Sequence, residues 1–227
     1  MTPPVTGKPP TRRQLAAQET RRKLLQAAME NFARRPYAEV TVADIARTAG
    51  VAHGLLSHHF NGKESLYAET VREIDRRLRA ACEAGPGGPP LEQLRRHFTG
   101  HLRFLAEHED AAQNLILRRA ETTDVAAEAF EASRREGLRG ICRMLGLDAD
   151  EPALRLPLRG FAAACDETAL TWLRSGRHHP IEALVDIWIT FLSAAIRAAR
   201  DLAPTPALHE ACEKLQPVSS PPASPAR

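Results

Sequence analysis

No stretch of the chain between Thr11 and Ala203 alternates apolar and polar residues with the period of two that a half-buried strand requires. The segments there are rich in Ala, Leu, Arg and Glu, carry few β-branched runs, and space their apolar residues for amphipathic helices. Proline supplies the punctuation. Ten of the 17 prolines lie in the first ten residues or the last 24, and the other seven sit mostly at joins such as Pro36, Pro152, Pro180 and the Gly85–Pro90 run. The expected fold class is all-α, with about nine helices near residues 18–35, 41–48, 52–58, 62–83, 91–107, 110–120, 124–146, 153–175 and 180–201. Thr41 with Asp44 three residues on reads as a capping-box start, and Gly50 as the left-handed residue that ends a short helix. Asp124 and the Asp148/Asp150 pair are further candidate helix starts, while Pro157 demands either a kink in the eighth helix or a start near Leu156.

Composition narrows the function classes. A chain of 227 residues suits one large or two modest domains, and 43% hydrophobic with 26% charged residues excludes global disorder. No run approaches the roughly 18 apolar residues of a membrane helix, and none follows the first Met, so neither a membrane nor a secreted protein is expected. Cys82, Cys142, Cys165 and Cys212 lie far apart without a C-x-x-C, which points to thiols in a reducing cytoplasm, Cys142 and Cys165 buried, rather than zinc ligands or disulfides. The net charge of +3 is uneven. Residues 1–63 hold ten Lys/Arg against four Asp/Glu, leaving the remainder slightly acidic. The basic quarter is either a polyanion-binding surface or a solvated face.

Residues 20–60 contain three short helical patterns. Leu24, Leu25, Ala28 and Phe32 form one stripe, Val42, Ile45, Ala46 and Ala49 a second, and Leu55, Leu56 and Phe60 offer apolar anchors to a third. Two short helices across a Gly-containing turn form either an ordinary α-hairpin or a helix-turn-helix whose second helix enters the major groove. In the latter case Ala52, His53, Gly54, Ser57 and His58 would face the groove.

The literal residues of Thr20–Tyr67 go further. Leu24-Leu25-x-Ala27-Ala28-x-x-x-Phe32, Thr41-Val42-x-Asp44-Ile45-Ala46-x-x-Ala49-Gly50-Val51, His59-Phe60 and Lys63-Glu64-x-Leu66-Tyr67 together resemble the N-terminal domain of TetR-family transcriptional regulators. Two positions depart from the family's habit. Pro36 stands where Gly is common, so that turn is expected to be extended, and Ser57 replaces a Tyr that usually reaches a phosphate. The resemblance implies phosphate contacts for Thr41, His59 and Lys63, and for Ser57 from closer in; base-edge reading by His53 and His58; close backbone approach at Gly54; and a thymine-methyl contact for Leu55.

It also implies a division into a flexible basic arm (1–17), a three-helix helix-turn-helix DNA-binding domain (18–78), a helical ligand-binding and dimerisation domain (79–203) and a flexible Pro-rich tail (204–227). The expected function is a cytoplasmic, homodimeric repressor released from double-stranded operator DNA by a small molecule. No enzymatic role, cofactor or metal is expected, because no nucleophile elbow, Walker loop, H-E-x-x-H or dinucleotide fingerprint occurs. Broad apolar surface around Trp188 and Phe191 suggests dimerisation through residues of about 153–201. The effector pocket is expected between helices four to eight, lined by Phe98, Leu102, Leu105, Met144, Phe161, Cys165 and Trp172, with His101 and Asp166 as polar anchors. Asp166 lies on an apolar stripe and needs a partner, such as Arg159, Arg118, a ligand donor or a residue of the other subunit. His97 and His101, four apart, could share a metal, but no third ligand is in view, and a pocket rim or plain surface is the other reading.

Overall fold

The computed structural model describes residues 11–83, 87–116 and 124–216. Among these residues there are ten α-helices and no strand: α1 (Arg12–Arg34), α2 (Val42–Ala49), α3 (Gly54–Phe60), α4 (Lys63–Cys82), α5 (Pro90–Glu107), α6 (Glu109–Ala111), α7 (Asp124–Leu145), α8 (Pro152–Arg174), α9 (Ile181–Leu202) and α10 (Pro206–Lys214). A π-helical turn, Ala112–Ile116, continues α6, and a 3-10 turn, Tyr37–Glu39, precedes α2.

The first three helices pack through the stripes that their spacing predicts. Leu24, Ala28 and Phe32 of α1 meet Ile45 of α2, Leu56 and Phe60 of α3, and Leu66 and Tyr67 of α4 in one buried cluster. Leu25, Val42 and Ala49 cover its edge. Leu55 is not an anchor as expected. It is 36% exposed, because one residue along a helix turns the side chain about 100° from the inward-facing Leu56. The capping box at α2 is complete: the Asp44 amide donates to Thr41 Oγ1 and the Thr41 amide to Asp44 Oδ2, each at 3.1 Å. Gly50 ends α2 at φ 65° and ψ 37°, a left-handed conformation that L side chains resist. Pro36 is extended, at φ −54° and ψ 151°.

A second cluster joins α5, α7, α8, α9 and α10. The α8–α9 hairpin forms much of it, and α8 runs unbroken through Pro157 from a start at Pro152, so the alternative start near Leu156 does not occur. The Asp148/Asp150 pair does not cap it either: Asp148 Oδ1 accepts from the Asp150 amide at 3.0 Å in the preceding turn. Trp188, expected at an exposed apolar surface, is 3% exposed and belongs to its own chain's core, and Phe191 is half-buried against that core. The large apolar side chains left outside on these two helices are Leu156, Ile187 and Leu202, at 74%, 40% and 65% exposure.

Helix reaches into the described part of both the expected arm and the expected tail. α1 begins at Arg12 behind a capping box between Thr11 and Gln14. In the expected tail, α10 forms because Pro206 takes the first helical position, where its missing N–H costs nothing, and Thr205 caps the Leu208 amide. Leu208, Ala211 and Leu215 then bury one stripe in the second cluster. Between the two clusters runs α4. Its first half packs into the first cluster through Leu66, Tyr67 and Val71, and its last turn carries Cys82.

Candidate nucleic-acid interface and ligand cavity

Ala52, His53, Gly54, Ser57 and His58 are exposed together around the start and outer face of α3, and His59 is half-buried beside them. A Cβ on Gly54 would meet nothing within 4 Å, so packing inside the chain does not explain a glycine here. The His58 and His59 rings meet edge to face at 5.1 Å. Burial, then the neighbouring His58 and Arg21, hold His59 below the usual imidazole range, which favours a neutral ring. Arg21 itself lies 4.7 Å over the Phe60 ring and pairs with Glu69.

Two of the residues expected to touch phosphate are already committed inside the chain. The Thr41 hydroxyl donates its proton to Asp44 Oδ2 at 2.8 Å, so a phosphate there would have to be met by other donors. That hydrogen bond, with the Thr41 amide and the nearby Arg35 and Arg47, holds the Asp44 carboxyl down at about 2. Lys63 Nζ donates to the carbonyls of Tyr37 and Val40, both at 2.9 Å, and sits 4.0 Å over the Tyr37 ring. An ammonium has three protons, so one is left for a phosphate. Lys63 thus ties the start of α4 to the loop between α1 and α2, a role that its position in a motif could not reveal.

Toward its other end α4 forms one wall of a cavity of about 170 Å³, closed by α5, α7, α8 and α9. Of the residues expected to line a pocket, Phe98, His101, Leu105, Phe161, Cys165 and Asp166 do so. Leu102 and Trp172 are buried in the packed core instead, and Met144 packs against its edge. Trp172 follows Cys165 by seven residues, about 10 Å along the helix axis, and lies beyond the cavity. Its indole Nε1 donates to the His179 carbonyl at 2.8 Å and secures the α8–α9 turn. Trp188 takes the lining place instead, edge to face with His101 at 5.3 Å and with Phe98 at 5.5 Å.

Sequence reasoning named no lining residue on α4 or, apart from Met144, on α7. Ile74, Asp75 and Arg79 of α4 line the cavity, and burial pushes Asp75 above the usual carboxylate range. Asp166 is paired with Arg134 of α7, Oδ2 to Nη2 at 2.5 Å. Arg159 pairs with Glu131 instead, and Arg118 lies outside the described residues. Arg134 is 10% exposed, and its Nε is buried with no hydrogen-bond partner among the described residues. His97 Nδ1 lies 3.2 Å from the Cys82 carbonyl, whereas His101 has no hydrogen-bond partner among the described residues. Burial pushes His101 down to about 3, with His97 adding to the effect. His108 lies away from both, stacked on Phe104 at 4.3 Å. Among the described residues no three His, Cys, Asp or Glu side chains converge as a metal site, and no helix is long and apolar enough to cross a membrane.

An exposed, polar α3 set across a glycine turn from a capped α2 defines a helix-turn-helix DNA-binding protein, built here on an all-helical body. Residues 24–70 match the family model described as bacterial regulatory proteins, tetR family. The chain is 28% identical over 165 residues to the HTH-type transcriptional regulator BetI of Stenotrophomonas maltophilia, covering 68% of this chain and 80% of that one. Other curated relatives match over a shorter span: the HTH-type transcriptional regulator TtgR of Pseudomonas putida is 37% identical over 83 residues, 35% of this chain and 40% of its own. The fold is shared with a tetR-family transcriptional regulator from Streptomyces coelicolor, at a TM-score of 0.71 and 24% identity over 87% of this chain and 88% of that one. It is also shared with FadR of Bacillus subtilis, solved in complex with stearoyl-CoA, at 0.58 and 23% over 75% and 96%. Residues 24–70 of this chain thus form a DNA-binding domain of the tetR type, carried on a helical body that shares the fold of solved tetR-family regulators.

Proposed function

We propose that the chain is a cytoplasmic, homodimeric repressor with no enzymatic step, which leaves its operator when a small molecule fills the cavity. The observation that carries this reading is the span of α4. One helix is anchored to the reading head through Lys63 and walls the cavity through Ile74, Leu78 and Cys82, so a ligand that displaces its cavity end moves the attachment of α3. Residues 18–78 then act as the DNA-binding domain and 79–203 as the sensing and dimerising one. That the FadR neighbour binds a small molecule in the same fold supports the assignment. For a ligand to turn a 99% DNA-competent dimer into 1%, it must prefer the released state by about 5.5 kcal/mol. Bound operator must weaken the ligand by the same factor. Selecting bound DNA from a random pool and then challenging the complex with metabolite fractions tests the reading; no fraction ever altering operator affinity would refute it.

Within the reading head, His53 and His58 are the proposed base readers, with Gly54 and Leu55 at the groove. Ser57, His59, the Thr41 region and the remaining Lys63 proton would meet phosphates. His53→Ala is expected to relax specificity at one or two base pairs per half-site, costing about 1–3 kcal/mol on the selected operator. Lys63→Ala should behave differently. It leaves the carbonyls of Tyr37 and Val40 without their donor, so it lowers stability by on the order of 1–3 kcal/mol and weakens every DNA sequence alike. Binding measured across a panel of single-base operator variants separates the two, and equal losses on all sequences for both would remove His53 from the reading set.

The dimer is proposed through the outer face of α8 and α9, where Leu156 and Ile187 remain exposed. Two reading heads on twofold-related half-sites multiply affinity, which gives dimerisation its purpose. Sedimentation at micromolar concentration should report twice the chain mass of 25.0 kDa, and Ile187→Asp should shift it to monomer. A wild-type monomer at that concentration contradicts the proposal.

A further inference from the structure

The cavity's chemistry specifies its ligand more closely than the effector reading on which this inference rests. Its charged lining among the described residues is two ion pairs, Arg79 with Asp75 at 2.7 Å and Arg134 with Asp166 at 2.5 Å, with Arg134 Nε left as a buried donor. In each pair a carboxylate already offsets the guanidinium, so a charged ligand would give up its hydration for little counter-charge. Four aromatic side chains, Phe98, Phe130, Phe161 and Trp188, line the space. Aromatic pairs favour edge-to-face and offset contacts, which suits a flat ring among them.

Two imidazoles supply the polarity. A carbonyl can only accept, so His97 Nδ1 carries the proton that it shares with the Cys82 oxygen, and Nε2 keeps its lone pair. His97 therefore asks for a ligand donor. Next to it on the same helix face, one turn on, His101 lines the cavity with one donor and one acceptor nitrogen and no hydrogen-bond partner among the described residues. Burial holds both rings below the usual imidazole range and so keeps them neutral. A ligand with only a carbonyl or an ether oxygen would leave His97 Nε2 unpaired in a desolvated place. We propose that the effector is an uncharged aromatic molecule with a free hydroxyl, its ring among Phe98, Phe130, Phe161 and Trp188 and its hydroxyl donating to His97 Nε2 or hydrogen-bonding His101.

Four probes of one shape test this on the full chain: para-propylphenol, para-propylanisole, para-propylbenzoate and para-propylbenzylammonium. Affinity is read by calorimetry, and occupancy of the cavity by the fluorescence of Trp188 in a Trp172→Phe background, excited at the red edge of indole absorption. The expected result is a Trp188 response to the phenol, with the phenol binding at least tenfold more tightly than each of the other three. The double variant His97→Phe/His101→Phe should bring the phenol down to the affinity of the anisole. If that variant does not fold, the phenol-to-anisole ratio on the wild-type chain carries the same information. Benzoate or benzylammonium binding as tightly as the phenol, with a Trp188 response, overturns the ligand class while leaving the cavity as the sensor site. Equal affinity of phenol and anisole overturns the hydroxyl requirement. No Trp188 response to any probe overturns both the ligand class and the placement of the site.

Discussion

Gly100→Ala is expected to be among the most damaging single-methyl additions available to this chain. A Cβ at Gly100 of α5 would stand 2.3 Å from the Ala81 carbonyl oxygen and 3.2 Å from the Cys82 Cα of α4. Both are backbone atoms, so no rotamer change relieves the overlap and the two helices must separate. Overpacking that moves backbone costs about 1–3 kcal/mol and sometimes more. The crossing also lies between His97 and His101, at the cavity wall. The variant should therefore melt lower by roughly 2–4 °C for each kcal/mol lost, and its operator affinity should change even without ligand, because α4 also carries Lys63. Thermal melts and operator titrations of wild type and Gly100→Ala check this together. Unchanged melting would mean that α4 and α5 do not cross as closely as described.

Acid should destabilise the helices around the cavity through His101. Its neutral ring in the folded chain titrates at about 3, well below the usual imidazole value, because burial disfavours the charged form. The unfolded chain takes up the proton near the ordinary value of about 6.5. Stability is thus fully present above that value and is lost as pH falls from there toward the folded value, by about 1.4 kcal/mol per pH unit. Between about pH 7 and about pH 5 the expected loss from this ring is on the order of 2 kcal/mol. His97 shifts in the same direction and adds to it. His101→Phe keeps an aromatic ring against Trp188 but removes the titration, so its urea midpoint should fall less over that interval. Parallel declines in wild type and variant would show that His101 is not held neutral in the fold.

How much was legible beforehand differs between the two halves of the molecule. In the reading head, apolar spacing alone placed Leu24, Ala28, Phe32, Ile45, Leu56 and Phe60 in one core, since short helices have few ways to bury a stripe. The Thr41–Asp44 cap and the left-handed Gly50 were equally plain, because both are decided within three or four residues. Leu55 was misplaced because adjacent apolar residues share a sequence neighbourhood but not a helix face. In the larger half the helices were readable and their partners were not. Trp172 and Trp188 are both apolar, both aromatic and both on broad stripes, yet only Trp188 lines the cavity. The expected tail concealed α10 because Pro204 and Pro206 look like breakers, whereas at a helix start they are compatible with one.

Residue order by itself determined the fold class, the helix-turn-helix and its caps, because each follows from periodicity or from contacts a few residues apart. Tertiary structure alone decided the rest. It joined Lys63 to the carbonyls of Tyr37 and Val40, Arg134 to Asp166, and Gly100 to the backbone of Ala81. It also turned the charged face of α4 into a cavity wall. Such pairings depend on which helix lies against which and at what depth, and two solvated charges become a buried pair only when another helix excludes the water between them.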